Sequence, residues 1–162
     1  MREEILEAME YLKTLEPDGR LDKAAADDLL ARIDAVQRAY VDVIREALSL
    51  LVQDRQEESY QILYDRRQGL ADVRERIAGL LSQPDRWRNP VLKGAVEYLF
   101  TRARLMEALS MFPNFGVQLL ERLTIDESIE EMISYLERAM TGKRQLYERV
   151  RQSCLEIRKT SK

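Results

Sequence analysis

The chain has 162 residues, 45% hydrophobic and 34% charged, with 6 Gly, 4 Pro and a net charge of −3. That length and balance fit one globular domain, residues 1–162, with a sizeable core, and exclude a disordered chain. The charge is too mild to point to nucleic acid or a membrane surface, and no apolar run reaches the ~20 residues of a membrane span.

The opening stretch, MREEILEAMEYL, is acidic and lacks the basic start of a signal peptide, so a cytoplasmic address is expected. One cysteine, Cys154, excludes an internal disulfide framework. Histidine is absent altogether. That removes the commonest general base and the commonest metal ligand, and with them every Ser-His or Cys-His nucleophile. Carboxylates alone could still support a reaction, but the expectation is a non-enzymatic protein with no cofactor and no metal.

Residues 2–15 read as a short amphipathic helix with Ile5, Met9 and Leu12 on one face. It is too short to stand alone and should dock on something larger. Glu16-Pro17-Asp18-Gly19 is a turn signal. Asp22 suits the N-cap of a second helix over residues 22–52. Its apolar positions, Leu29, Ile33, Val36, Tyr40, Val43, Ala47 and Leu50, alternate four and three apart, a heptad seam. No Gly or Pro interrupts residues 53–59, yet the seam lapses there, and Asp54 with Glu57 forms a helix-start pair. The spacing predicts a hairpin and a third helix over residues 55–81.

Residues 82–90, SQPDRWRNP, form a loop rich in breakers, and Pro90 can sit in the first turn of the next helix. That helix, residues 91–111, is the centre of the expected fold. Its apolar residues fill an arc of roughly 200°, against ~100° for an ordinary surface helix. Lys93, Glu97, Arg104 and Glu107 form the narrow polar stripe opposite. Pro113-Asn114-Phe115-Gly116 reads as a turn and residues 117–123 as a short helix. Thr124 and Glu127 make a capping box for a last helix over residues 125–159. The sum is an all-α, up-down bundle of four long antiparallel segments with a short docked N-terminal helix.

Charge is unevenly spread. Residues 124–141 carry 1 base against 5 acids, and residues 142–162 carry 7 bases against 2 acids. Acids at the start and bases at the end of one helix match its dipole. A basic tail meeting an anionic partner is the sharper reading, but no nucleic-acid motif accompanies it.

Two groups of residues stand out. Arg66, Arg102 and Lys143 fall on apolar faces, and an up-down bundle would bring them to similar heights. Buried cations need partners, either carboxylates such as Glu97 or Asp65 or a small anionic ligand held inside the bundle. Trp87 between Arg86 and Arg88, and Met111, Phe112 and Phe115 around Pro113, have the composition of an interface. Without an activating histidine, Cys154 reads as an inert core residue. The first expectation is a bundle that acts by binding another protein or itself, as an adaptor, chaperone or regulator. The second is a sensor or carrier of a small anion.

Overall fold

The computed structural model describes residues 1–15, 20–111, 113–143 and 145–160, with the side chains at 84, 111 and 113 outside that description. It is all-α: α1 (Arg2–Thr14), α2 (Lys23–Val52), α3 (Gln56–Leu81), a 3₁₀ turn (Pro84–Trp87), α4 (Pro90–Met111), α5 (Pro113–Leu120), α6 (Ile125–Thr141) and α7 (Leu146–Thr160). Among the described residues no helix is long and apolar enough to cross a membrane. The turn expected at Glu16-Pro17-Asp18-Gly19 lies outside the described residues.

α1 buries Ile5, Ala8, Met9 and Leu12, a stripe at helical spacing that docks on α2 and α3. The Asp22 carboxylate caps α2 by accepting from the Ala25 amide at 2.8 Å. The α2 seam is buried as expected as far as Ala47, but then passes to Ile44 and Leu48, while Leu50 is only half-buried. A straight helix of 3.6 residues per turn drifts off a strict heptad in this way.

The hairpin after α2 forms where the seam lapses. The Arg55 amide donates to Leu50 O and the Asp54 amide to Leu51 O, with Asp54 at φ 58°. This is a Schellman end with aspartate in the left-handed position usually held by glycine. Asp54 therefore closes α2 rather than capping α3, whose N-cap is Arg55. The buried Ser59 hydroxyl donates to Ala47 O at 2.7 Å and ties the two arms together.

α4 begins at Pro90, where the Asn89 side chain accepts from the Val91 amide at 2.9 Å. Leu99 and Met106 are wholly buried, and among the described residues of this helix only Pro90, Lys93 and Arg104 are exposed. α2 and α4 each pack on α1, α3, α6 and α7, so they share the centre. One continuous apolar core draws residues from every helix.

Two expectations are corrected. The Pro113-Asn114-Phe115-Gly116 segment is not a turn but the start of α5, since proline is well suited to a first helical turn. A Cβ on Gly116 would lie 2.9 Å from Leu51 Cδ1, so the glycine lets α5 sit close against α2. The last helix is not continuous over residues 125–159. The Thr124–Glu127 capping box opens α6 as expected, but Gly142 ends it at φ 70°, its amide donating to Arg138 O. Gln145 is also left-handed, at φ 57°, and α7 starts afresh at Leu146. The fourth long segment is thus two helices, α6 and α7.

Candidate functional site

Four helix faces converge on a buried polar network. Arg102 of α4 is 1% exposed and donates from Nη1 to Glu137 Oε1 of α6 at 2.6 Å. Gln37 of α2 turns its side-chain oxygen to the same guanidinium, accepting from Nε at 3.1 Å and Nη2 at 2.9 Å. That oxygen also accepts from the Tyr98 hydroxyl at 2.7 Å. The guanidinium lies 4.7 Å from the Tyr98 ring centre and 5.0 Å from that of Tyr40, within cation–π range of both. The second Glu137 oxygen accepts from the Leu146 amide at 3.4 Å, so the carboxylate also holds the N-terminus of α7. Burial pushes the Tyr98 hydroxyl up to about 12 and the Tyr40 hydroxyl higher still, so both stay neutral. The Tyr40 hydroxyl has no hydrogen-bond partner among the described residues.

The three cations expected to meet are given separate partners. Each guanidinium nitrogen of Arg102 has a partner in Glu137 or Gln37. Lys143 sits just after α6, half-exposed, 3.5 Å from Glu97. Arg66 is exposed on α3, close enough to Glu4 to lower that carboxyl's pKa, although the hydrogen bond from the Met1 amino group is the largest cause. Arg2 ties α1 to α3 at Gly69 O and Asp72, about a turn beyond Arg66, which stays exposed. No anion-binding triad is assembled, because two of the three head groups never enter the core.

The expected interface residues are also redistributed. Trp87 is 4% exposed and donates from Nε1 to Leu80 O at 2.6 Å. The indole is thus packed into the core at the end of α3. Arg86 stacks on it and donates to Lys13 O at 2.5 Å, satisfying a carbonyl at the end of α1. Arg88 is exposed, 3.5 Å from Asp85. Phe115 is half-buried against the Tyr135 ring at 4.9 Å. Phe112 and the Met111 side chain lie outside the described residues. Cys154 is buried, and desolvation first, then Asp34, pushes its thiol up to about 11.

Two surface features carry the unassigned chemistry. At the hairpin end, Val52, Tyr60, Tyr64 and Tyr135 are exposed by 61%, 42%, 37% and 44%. Tyr60 and Tyr64 stack at 6.2 Å. Tyr60 also borders a small apolar crevice with Leu51, Gly116 and Met132; Phe115 immediately precedes Gly116, and its ring meets that of Tyr135, one helical turn beyond Met132. The crevice holds about 40 Å³, room for a few water molecules. The second feature is a cleft of about 760 Å³ between α2, α6 and α7, with the Gln37–Arg102–Glu137 network at its floor.

Of these residues, Gln37 and Glu137 were hidden because each directly follows a seam residue, Val36 and Leu136, on what a wheel treats as the shoulder. Tyr60, Tyr64 and Tyr135 had a signal in their spacing: they stand off the seam on otherwise polar faces. Comparison with protein-family models, with curated proteins and with solved structures finds no match.

Proposed function

We propose that this chain is a non-enzymatic helical-bundle protein that works by binding another protein surface, with the aromatic end as the contact. The observation that supports this is the cluster of exposed tyrosines, Tyr60, Tyr64 and Tyr135, with Val52 around an apolar crevice. Tyrosine is the residue type most suited to such a role, because it offers large area, a polar tip and little rotamer entropy to lose. The rest of the surface is mostly charged, so the aromatic end stands apart from it. Arg102, the one buried cation of the expected anion site, has a protein partner at each guanidinium nitrogen, and no feature favours the carrier reading over this one.

The test is photo-cross-linking in the cells that make the protein. A benzophenone amino acid at position 60 or 135 should give adducts of discrete mass, and the same group at the exposed Glu75 should give none. An adduct of twice the chain mass identifies a second copy as the partner. Adducts at all three positions alike, or at none, would overturn the proposal.

A further inference from the structure

The cleft between α2, α6 and α7 lies on a different face of α6 from the aromatic end and is built from different residues. Its apolar strip comes from the partly buried Val41 of α2 and Ile133 of α6, with Ile129 buried beneath them. Its charges do not balance. Arg102 is consumed by Glu137, and Arg45 by Asp126 at 2.5 Å. Glu130, Glu131 and Glu148 remain, all exposed on the rim, and none has an ion-pair partner among the described residues. An apolar strip edged by unneutralised carboxylates is complementary to one kind of surface, an apolar side-chain row flanked by Lys or Arg.

The floor explains why the groove keeps its shape. Val41 lies one helical turn along α2 from Gln37, and Ile133 one turn along α6 from Glu137. The buried Arg102 hydrogen-bonds to both Gln37 and Glu137, so it fixes the spacing of the two walls. Glu137 also holds the start of α7, which brings Tyr147 and Glu148 to the third side. The groove is therefore braced from below by side chains that a ligand need not displace, and preorganisation of this kind lowers the entropy lost on binding.

We propose that this cleft binds a basic amphipathic segment of a partner protein, its apolar row on Val41 and Ile133 and its cations on Glu130, Glu131 and Glu148. The proposal concerns a second surface and does not depend on the aromatic end.

The probe is a synthetic amphipathic helix of Leu and Lys, about 18 residues long so that it can hold helical form, titrated calorimetrically into the full chain. Its Leu/Glu counterpart serves as the opposite-charge control. The Lys peptide should bind one to one, and more weakly as salt is raised, because exposed charge pairs are screened. The triple variant Glu130→Gln, Glu131→Gln, Glu148→Gln should bind it about tenfold more weakly or worse. Ile133→Ser, which changes no charge, should also weaken it severalfold. A control removing three acids elsewhere, Glu3→Gln, Glu7→Gln, Glu75→Gln, should stay within about twofold of the wild type. Equal losses in the two triple variants would reduce the effect to general charge attraction and overturn the proposal. So would failure of the wild type to bind the Lys peptide. A wild-type dimer in light scattering that the rim variant converts to monomer would overturn it too, since the occupant would then be a second copy.

Discussion

Arg102 heads the largest fully buried side chains among the described residues, and Glu137 and Gln37 hold its charge in place. Its place inside the wide apolar arc of α4 predicts burial, and it is 1% exposed. Its partner could not be read, because Glu137 is one of five acids between residues 124 and 141 and nothing in a wheel separates it from the solvated ones. Removing one member of a buried ion pair leaves the other uncompensated. Arg102→Met is thus expected to destabilise by about 3–5 kcal/mol in urea denaturation, and the double variant with Glu137→Leu should recover much of that loss. Tyr40→Phe works the other way. It keeps the ring under the guanidinium and deletes a buried hydroxyl without a partner, so stability should be unchanged or rise by about 1 kcal/mol.

Cys154 supplies a pH dependence whose sign can be worked out. Its thiol pKa is raised from 9.0 to about 11, so the folded state holds the proton more tightly than the unfolded chain does. The associated stability is complete below pH 9 and is lost as pH rises toward 11. The loss should amount to about 1–2 kcal/mol. Denaturant midpoints measured from pH 8 to pH 11 should fall, and Cys154→Ala should flatten part of that fall. A parallel decline in both proteins would assign the effect to other groups.

At the scale of elements, the starts of helices were readable and some of the ends were not. Asp22, Pro90 and the Thr124–Glu127 box all begin helices where their chemistry says they should. The break after α6 was missed although Gly142 was in plain view, because the apolar spacing resumes on the far side at Tyr147 and Val150. Periodicity bridged a gap that the left-handed glycine had already opened. Lys143 was misplaced for the same reason, as a wheel carried through residue 142 puts it on the core side. The two left-handed helix ends should respond oppositely to substitution. Gly142→Ala places a Cβ at φ 70° and should cost about 1 kcal/mol, whereas Asp54→Gly relieves a non-glycine residue at φ 58° and should gain up to about 1 kcal/mol. Thermal melts of the two single variants check the pair. A destabilised Asp54→Gly would mean that the aspartate carboxylate does more at the hairpin than close α2.

At the scale of the molecule, the all-α class and the α2–α3 hairpin followed from the sequence, and an unbroken last helix did not. Pro113 begins a helix of its own, and the final segment folds as two. Both departures remake the surface. The break after α6 brings Glu137 Oε2 to the Leu146 amide, and α5 carries Phe115 to Tyr135. A wheel drawn on each segment separately could not place either contact, because both depend on where short helices turn. The cleft and the aromatic end are products of those turns, whereas the core is a product of the seams.

The buried tryptophan has a practical consequence for any experiment on this protein. Trp87 is the sole indole, and its N–H is held by Leu80 at the far end of α3 from the hairpin. Twenty residues of helix separate Tyr60 from Leu80, about 30 Å at ~1.5 Å per residue. Its fluorescence should therefore be blue-shifted in the native state and insensitive to a ligand seated at the aromatic end. It should respond when α1 lifts away, because Arg86 joins the indole to the Lys13 carbonyl. Arg86→Ala should shift the emission to the red before the circular dichroism changes on heating. Coincident optical and helical transitions in that variant would show that α1 unfolds together with the remainder of the bundle.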